Sequence, residues 1–342
     1  MIKSISDVAA FSVDPQRRLF SAEHEEILAG KTTDIYFIKT NDLLKHLGKE
    51  NTVVAAEVFA RQSGILAGVT EAMGLLEDIP VEVWALPEGE GFSDQEVLMR
   101  IIGPYSQFGI YETALLGMLA SSSGWATAAR EVRLAAGDSP VLCFGARHVH
   151  PAVAPVMERA ALIGGADGAS CILGAKLGGK DPSGTMPHTA IIIVGDTVAT
   201  ALAYHQCMPP DQMRIVLVDT FRDEAEESLR VAEALGDALQ GIRLDTPRER
   251  GGVTPELVRE VRWRLDQAGF NHVKVLVSGG LNPDKIRLLK KAGAVSFGVG
   301  SYISGAVPID MTMDIKEVEG RPIAKRGRLP GCLNNSRLKK MQ

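Results

Sequence analysis

The sequence predicts an α/β fold in which an irregular β/α barrel follows a smaller α+β domain. From residue 140 to residue 299, short apolar runs of β type recur, and helical segments lie between most of them. Strands that are buried on both faces and alternate with helices are typical of a parallel sheet. Before residue 105, β-type runs alternate with turn signals, a pattern that favours a mixed α+β layer. The chain length of 342 residues suits about two domains.

The first domain is predicted over residues 1–115. A helical pattern over 16–30 ends at Gly30, because glycine commonly follows the last helical residue. A second helix is predicted over 64–76. The β-type runs of this domain lie at 53–59, 81–86 and 97–102.

The barrel is predicted over residues 116–305, beginning within an Ala- and Leu-rich helical stretch at 111–136. Thr254-Pro255 and Asn282-Pro283 each place a capping side chain before a proline at the first helical position. The alternation fits a closed or nearly closed barrel, with a doubly wound open sheet as the alternative. The predicted strands are 140–144, 168–173, 190–194, 215–219, 240–244, 273–278 and 294–299. Residues 306–342 are predicted to return to the first domain and to end in a basic tail.

Charge and composition exclude several classes of protein. The formal net charge is −5, so the chain lacks the basic footprint of a protein that binds nucleic acid or an anionic membrane. The four cysteines are scattered without a C-x-x-C pair, which predicts reduced thiols. The first residues lack the apolar core of a signal peptide, and no apolar run is long enough for a membrane helix. We therefore expect a cytoplasmic protein with neither nucleic acid nor membrane as a partner.

Two glycine-rich segments follow the last two predicted barrel strands. In β/α barrels, ligands sit at the carboxyl ends of strands, and phosphate often sits at the last two. Glycine lets backbone N–H groups approach an anion, and a helix N-terminus adds positive potential. Tight strand–helix turns are the alternative interpretation. The residues predicted to bind phosphate are Ser278, Gly279, Gly280, Gly298, Gly300 and Ser301.

Charged side chains follow other predicted strands. Arg147 lies after the first barrel strand, Asp219 closes the fourth, and Arg243 and Asp245 lie at the end of the fifth. Arginines at a barrel mouth can grip carboxylate or phosphate bidentately, and two aspartates beside a phosphate pocket can hold Mg²⁺. Salt bridges at the rim are the alternative.

A loop histidine, His188, ends the Gly- and Pro-rich segment 184–188. Beside a phosphate site it could act as an acid or base, or accept a phosphoryl group; a purely structural histidine is the alternative. Two other motifs are weaker. Residues 174–181 nearly spell a P-loop, but Asp181 replaces the Ser or Thr that would bind Mg²⁺. His148 and His150 lack a nearby third metal ligand.

Taken in order along the chain, these segments resemble the nicotinate phosphoribosyltransferase family, close kin of the nicotinamide and quinolinate phosphoribosyltransferases. The resemblance extends from about residue 15 to 325 and is greatest to the short bacterial and archaeal branch. Each motif alone is weak, whereas their order is specific. The motifs are Thr33-Asp34-Ile35-Tyr36, Phe144-Gly145-Ala146-Arg147, Gly184-Thr185-Met186-Pro187-His188, Leu217-Val218-Asp219-Thr220, Arg243-Leu244-Asp245-Thr246, Ser278-Gly279-Gly280-Leu281 and Gly298-Val299-Gly300-Ser301.

The resemblance implies a type II phosphoribosyltransferase fold, with an open-faced α+β sandwich domain beside the barrel. It implies a homodimer or higher homo-oligomer with shared active sites. The implied reaction joins nicotinate to phosphoribosyl pyrophosphate, giving nicotinate mononucleotide and pyrophosphate for NAD biosynthesis. ATP hydrolysis would be coupled through a phosphohistidine, and Mg²⁺ would be the cofactor.

The resemblance also implies roles at the pyridine ring. Tyr36 of the partner subunit would stack on one face of the ring, and Phe144 on the other. Arg243 would orient the nicotinate. Ser170 stands where nicotinamide-specific relatives carry an aspartate, and would spare the nicotinate carboxylate that repulsion.

At the phosphoribosyl group, Arg147 would bind the phosphoribosyl substrate, and Asp219 and Asp245 would bind ribose hydroxyls or Mg²⁺. His188 matches the family histidine that ATP phosphorylates. Residues 246–250 depart from the Ser-Gly-Asp sequence common in longer relatives, so contacts there are not carried over.

Three alternatives stay open. A quinolinate phosphoribosyltransferase, which decarboxylates its substrate and needs no ATP, would require extra basic groups at the ring site; His148, Lys176 and Lys180 are candidates. Lys176 could instead form a Schiff base in a lyase. A catalytically inactive protein that binds phosphoribosyl pyrophosphate is the non-enzyme hypothesis.

Overall fold

The computed structural model describes residues Met1–Gln342 and divides into two compact units. The first unit comprises Met1–Thr127 and Val307–Gln342, and the second comprises Ala128–Ala306. The division at Thr127 falls within the helix Glu112–Ala136, whereas the sequence predicts a boundary at 115/116.

The first unit is built on a sheet whose strands all pair antiparallel. Its elements are α1 (Ile5–Ala10), α2 (His24–Leu28), α3 (Ile35–His46), β1 (Val53–Ala60), β2 (Gly64–Ile65), α4 (Val69–Leu76), β3 (Glu82–Ala85), β4 (Gly91–Phe92), β5 (Val97–Pro104), α5 (Tyr105–Phe108), the start of α6 (Glu112–Ala136), and the carboxyl-terminal strands, here numbered in chain order, β12 (Met311–Val318), β13 (Arg321–Pro322) and β14 (Lys339–Lys340). The main sheet has the order β13-β12-β1-β5-β3-β14, so the carboxyl-terminal strands belong to it. Val83, Ile101, Leu76 and Leu115 are buried in one apolar core, each contributing about 1.5–3 kcal/mol by leaving water.

Two predicted helices of this unit are shorter than expected. The helix predicted over 16–30 is formed only at α2, because the Arg17 guanidinium donates to the carbonyls of Leu19 and Ser21 and ties the preceding residues into a loop. The helix predicted over 64–76 begins only at Val69, because Gly68 has a left-handed φ of 90° that no helical residue can adopt.

The second unit contains a six-stranded sheet in which all strands are parallel. Its elements after α6 are β6 (Val141–Cys143), α7 (Ala154–Gly164), β7 (Gly168–Ala169), α8 (Ile172–Leu177), α9 (His188–Val194), α10 (Thr197–Cys207), β8 (Ile215–Leu217), α11 (Glu224–Leu235), β9 (Gly241–Leu244), α12 (Pro255–Gln267), β10 (Lys274–Val277), α13 (Pro283–Ala292), β11 (Ser296–Val299) and α14 (Ser301–Ser304). The strand order is β7-β6-β11-β10-β9-β8, and β7 and β8 form its two edges. The alternation of parallel strands and helices confirms the predicted α/β class.

One predicted barrel strand, 190–194, is wrong. These residues lie in α9, which follows Pro187 and ends before Gly195, a glycine with a left-handed φ of 89°. A short run of aliphatic residues suits a helix as well as a strand, so its pattern alone does not distinguish them. The sheet therefore has one strand fewer than predicted, and helices α8, α9 and α10 lie between its edge strands in the sequence.

No single helix is long and apolar enough to cross a membrane. Helices α9 and α10 meet the length and hydropathy criteria only as a pair, and they are bent by 111° at their junction.

Candidate active site

A cavity of about 380 Å³ lies at the carboxyl ends of the parallel strands in the second unit. Most of the residues predicted to bind substrate or phosphate line it, because they lie at or shortly beyond the carboxyl ends of strands in the same sheet. Ala146, His148, Gly184, Thr185 and Pro187 complete the lining. The predicted residues in the lining are Phe144, Arg147, Ser170, Arg243, Asp245, Ser278, Gly279, Gly280, Gly298, Gly300 and Ser301.

One side of the cavity, which we call the glycine half, consists of residues 278–280 after β10 and 298–301 at the end of β11. A Cβ atom on Gly298 would lie 2.4 Å from Cε2 of Phe144, and one on Gly300 would lie 2.8 Å from Cε1 of His148. Both distances are far below van der Waals contact, so these positions accept only glycine without movement of an aromatic ring. The backbone can therefore face the cavity directly.

Helix α13 starts immediately behind this glycine half. The Asn282 side chain accepts a hydrogen bond from the backbone N–H of Lys285 at 2.8 Å, and Pro283 occupies the first helical position. Gly279 and Gly280 just before it have φ values of 89° and 59°. The predicted N-terminal cap is confirmed, and the ten-residue helix α13 directs the positive end of its dipole toward the glycine turn.

A second group of residues, which we call the charged half, consists of Arg243 and Asp245 in the cavity lining and of His188 and Asp219 beside it. His188 Nε2 lies 3.6 Å from Oδ2 of Asp219 and 3.7 Å from Oδ2 of Asp245. His188 Nδ1 is hydrogen-bonded to the Thr220 hydroxyl at 3.0 Å. The imidazole thus stands between two carboxylates that follow neighbouring strands, β8 and β9.

The two aspartates of the charged half differ in ionisation. Burial raises the pKa of Asp219 to about 6, and neither of its carboxylate oxygens has a hydrogen-bond partner. Burial also acts on Asp245, but the interactions with His188, Ser278 and Arg243 outweigh it and lower the Asp245 pKa. Above all the Asp245 carboxylate, and then Asp219, raises the pKa of His188. Both carboxylates therefore favour the protonated form of His188.

Arg243 is held in place from several directions. Its Nη1 donates to the Thr185 hydroxyl, its Nη2 donates to Asp245 Oδ2 at 3.4 Å, and its Cζ lies 5.7 Å from the centre of the Phe144 ring. Its Nε is buried and has no hydrogen-bond partner. An arginine fixed in this way, with one N–H still unsatisfied, is suited to binding an anion beside the ring.

The ring-site residue Ser170 is tied to a residue that sequence reasoning missed. Its hydroxyl donates to Oε1 of Glu158, a fully buried carboxylate on α7, at 2.9 Å. His148 Nδ1 is hydrogen-bonded to the Ser304 hydroxyl at 3.1 Å, and Arg147 is exposed in the turn after β6. Glu158 had no signal in the sequence, whereas Thr185 stood within the motif 184–188.

Three predicted residues lie outside the cavity lining. His188 and Asp219 join the site through Asp245, as described above. Tyr36 lies on α3 in the first unit, where its side chain is exposed and its ring centre is 4.2 Å from that of Phe37. Its role across a subunit interface stays a prediction.

The lysine hypotheses receive no support from the geometry. Lys176 Nζ lies 2.5 Å from Oδ1 of Asp181, and both side chains are exposed. Neither Lys176 nor Lys180 lines the cavity, so a Schiff base there has no enclosed site. Of the three proposed basic groups, only His148 lines the cavity.

The metal prediction has a partial structural basis. The structure contains no group of three or more His, Cys, Asp or Glu side chains placed to hold a metal ion. Mg²⁺ at phosphate sites commonly uses only one or two carboxylates, with waters and substrate oxygens for the rest. The two unpaired oxygens of Asp219, next to Asp245, fit that donor set.

Two family models match this chain, and together they cover most of both units. The quinolinate phosphoribosyl transferase N-terminal domain matches residues 34–123, and the C-terminal domain of the same enzymes matches residues 125–314. The chain belongs to the quinolinate phosphoribosyl transferase family. The predicted type II phosphoribosyltransferase fold is thereby confirmed, and so is the predicted kinship with these enzymes.

Similar proteins carry one of two names, nicotinate-nucleotide pyrophosphorylase or nicotinate phosphoribosyltransferase. A solved structure described as nicotinate-nucleotide pyrophosphorylase from Pyrococcus furiosus is 47% identical, covers 93% of this chain and 82% of that one, and has a TM-score of 0.89. A nicotinate phosphoribosyltransferase of Mycobacterium tuberculosis is 30% identical over 70% of this chain and 52% of its own length. A probable carboxylating nicotinate-nucleotide pyrophosphorylase of Methanothermobacter thermautotrophicus is 24% identical over 78% of this chain and 89% of its own length. The chain thus spans about half the length of the nicotinate phosphoribosyltransferase it matches.

These findings correct the reaction predicted from the sequence. Nicotinate transfer with ATP coupling was expected from the motif order, but the family models that match both domains are those of quinolinate enzymes. The 47% identical pyrophosphorylase matches far more of both chains than the 30% identical nicotinate enzyme does. The motif order therefore indicated the family but not the reaction.

Proposed function

We propose that this chain is a quinolinate phosphoribosyltransferase, which joins quinolinate to phosphoribosyl pyrophosphate and releases pyrophosphate and carbon dioxide. The product is nicotinate mononucleotide, a precursor of NAD. The observation that carries the proposal is the match of the quinolinate phosphoribosyl transferase models to residues 34–123 and 125–314. The 24% identical relative carries the name of the reverse, carboxylating reaction, and a protein described by the shorter name nicotinate-nucleotide pyrophosphorylase is 47% identical over 93% of the chain. The cavity agrees, because Arg147, His148 and Arg243 all line it and a dicarboxylate needs more than one basic partner.

In this proposal the two halves of the cavity bind different parts of the substrates. The glycine half binds the 5′-phosphate through backbone N–H groups and the start of α13. Phe144 supplies a flat apolar surface for the pyridine ring. Arg243, whose Cζ lies 5.7 Å from the centre of the Phe144 ring, is near enough to bind a carboxylate of the stacked substrate. Arg147 and His148 are available for the second carboxylate and for the pyrophosphate.

The chemistry follows from charge. The pyridine nitrogen forms a bond to C1′ of the ribose while the C1′–oxygen bond to pyrophosphate breaks. The bond between C2 and its carboxylate then breaks, and carbon dioxide leaves. The electron pair of that bond stays on C2, where the adjacent cationic nitrogen stabilises it, and a proton then adds to C2. Asp219 and Asp245 place negative charge near the cationic ribose, with the proton on His188 limiting their mutual repulsion. Asp219 and Asp245 are the residues that would hold Mg²⁺, and the chemistry that the ion would supply is positive charge beside the departing pyrophosphate.

Substrate choice tests the proposal directly. We would measure pyrophosphate release from phosphoribosyl pyrophosphate and Mg²⁺ with quinolinate, nicotinate or nicotinamide, each with and without ATP, and trap carbon dioxide from carboxyl-labelled quinolinate. We expect turnover with quinolinate, stoichiometric carbon dioxide and no need for ATP. Turnover with nicotinate alone would overturn the proposal, and stimulation by ATP that is lost in His188→Ala would support the untested phosphohistidine prediction.

Arg243 provides a site-specific test. Arg243→Met is expected to raise the KM for quinolinate about 10- to 100-fold, because a hydrogen bond to a charged group is worth about 1.5–3 kcal/mol. The KM for phosphoribosyl pyrophosphate should change far less. Arg259→Met, on the exposed face of α12, is the matched control and should leave both constants unchanged. Equal changes in both constants for Arg243→Met would argue against its role as the carboxylate anchor.

A further inference from the structure

We propose that Glu158 is a positioning residue that sets the hydrogen-bond polarity of Ser170 and thereby turns the substrate carboxylates away from that side of the cavity. The inference rests on the proposed function and assigns a specificity role to a residue outside the cavity. Glu158 lies on α7 and has no exposed surface.

Both carboxylate oxygens of Glu158 are used. Oε1 accepts the Ser170 hydroxyl at 2.9 Å, and Oε2 accepts the backbone N–H of Cys171 at 2.5 Å. The Ser170 backbone is itself tied to β6, because its N–H donates to the carbonyl of Cys143 at 3.1 Å. The turn that carries Ser170 into the cavity is therefore fixed in position as well as in rotamer.

The direction of the hydrogen bond from Ser170 to Glu158 determines what the Ser170 hydroxyl can offer to a ligand in the cavity. A serine hydroxyl has one proton to donate and two lone pairs to accept with. Since Ser170 gives its proton to Glu158, only lone pairs remain for the cavity. A carboxylate also offers only lone pairs, so it gains no hydrogen bond from Ser170 and is repelled by it. The basic side chains in the same cavity are Arg147, His148 and Arg243, and they draw the carboxylates to themselves.

Replacing Glu158 with glutamine should reverse this polarity. A carboxylate accepts at both oxygens, whereas an amide accepts at one atom and donates at the other. The Cys171 backbone N–H can only donate, so the glutamine oxygen must face it, and the amide NH₂ must face Ser170. The Ser170 hydroxyl would then accept from the amide, and its proton would point into the cavity, where it can bind a carboxylate in the wrong orientation.

The kinetic signature of such misplaced binding differs from that of structural damage. Unproductive complexes in the same site lower kcat and KM together and leave kcat/KM nearly unchanged. We expect Glu158→Gln to lower both constants for quinolinate about tenfold, since one added hydrogen bond to a charged group is worth about 1.5 kcal/mol. The KM for phosphoribosyl pyrophosphate should stay the same. The double variant Ser170→Ala with Glu158→Gln should behave like Ser170→Ala alone, because the hydroxyl that misplaces the substrate is gone.

Controls separate this inference from folding and from the proposed function. Glu131→Gln, which alters a carboxylate–hydroxyl pair with Tyr302 outside the cavity lining, should leave the kinetics unchanged. Calorimetric titration with quinolinate and with nicotinate tests Glu158 even if the wild-type protein turns over neither, since Glu158→Gln should tighten binding of either carboxylate. Thus failure of quinolinate turnover would remove the proposed function, whereas unchanged carboxylate affinity in Glu158→Gln would remove this inference.

A further outcome would also overturn the inference. This is a fall in kcat/KM for both substrates with no recovery in the double variant, which would indicate that Glu158 has a structural role only.

If Glu158→Gln fails to fold, the Ser170→Ala variant alone tests the inference. We expect its affinity for quinolinate to stay within about threefold of wild type, because Ser170 has no proton to give the substrate. A tenfold loss of affinity would show that Ser170 donates to the carboxylate.

Discussion

The glycine half and the charged half both lie at the carboxyl ends of strands in the same sheet, but they are built by different means. The glycine half relies on backbone and on the start of α13, and the absence of Cβ atoms at Gly298 and Gly300 makes the approach possible. The charged half relies on side chains whose ionisation is shifted by burial and by one another. Stability and activity should therefore respond to added side-chain volume, but not to pH, in the glycine half. In the charged half they should respond to pH more than to added volume.

The largest expected effect comes from adding one methyl group to the glycine half. Gly298→Ala places a Cβ atom 2.4 Å from the Phe144 ring, so either the ring or β11 must move. We expect a loss of unfolding free energy of about 1–3 kcal/mol and a fall in kcat/KM of at least about 100-fold, since a misplacement near 1 Å can cost that much. Thermal unfolding and initial rates measure both.

The matched control is Gly117→Ala on α6, where nothing lies within 4 Å of the added atom. It should stabilise the protein slightly, by about 0.5–1 kcal/mol, because alanine is the better helix former. If Gly298→Ala retained wild-type rates, the tight approach of the glycine half to the ring would have no catalytic importance.

The second effect separates the two aspartates of the charged half. Folding raises the Asp219 pKa from 3.8 to about 6, so between these values the folded state holds a proton that the unfolded state has lost. The free energy of unfolding therefore falls as pH rises through that window, by up to about 3 kcal/mol. Asp219→Asn removes the free-energy cost of burying an ionised carboxylate. The variant should therefore be more stable than the wild type by about 1–3 kcal/mol at pH 8 in the absence of metal, and the difference should shrink toward pH 4.

Asp245→Asn should have the opposite sign. The folded-state pKa of Asp245 is lowered, so its contribution to stability is present above the ordinary pKa of 3.8 and is lost as pH falls through the folded value. The asparagine variant should lose about 1–3 kcal/mol at pH 8. Urea unfolding of both variants across pH 4–8 in EDTA measures the difference. Stability changes of the same sign at pH 8 would contradict the ionisation described for this half.

The smallest expected effect concerns helix caps. Asn282→Ala and Thr254→Ala each remove a side chain that caps a helix start, at α13 and α12 respectively. Each should cost about 1 kcal/mol of stability. Only Asn282→Ala should raise the KM for phosphoribosyl pyrophosphate, because only α13 begins beside the glycine half. Parallel KM changes in both variants would point to a general loss of order instead.

Almost all residues of the glycine half could be predicted from the sequence. They form two continuous segments, so the spacing of their glycines can be read directly along the chain. The strand-end charges were also predicted to meet, and Arg243 and Asp245 do so. Glu158 and the bond between Arg243 and Thr185 were not predicted, since they join positions far apart in the chain with no shared motif. The strand predicted at 190–194 failed because four aliphatic residues carry no period long enough to separate helix from strand.

Substrate choice was mispredicted for a related reason. The motifs indicated the family, but the reaction expected from them is contradicted by the family models. The proposed dicarboxylate substrate rests instead on how many basic side chains reach one cavity. That number is a property of the folded site, where Arg147, His148 and Arg243 converge while Lys176 and Lys180 do not.

The strand order of the second unit has a consequence for how the site is made. The last strand, β11, lies in the middle of the sheet, between β6 and β10, so a nascent chain lacks its central strand until residues 296–299 have left the ribosome. Until then β6 has no partner on that side, and its following residue, Phe144, has no Gly298 to pack against. The cavity therefore cannot assemble piecemeal from the amino-terminal end, and a chain truncated before β11 would expose a sheet open at its centre to other strands.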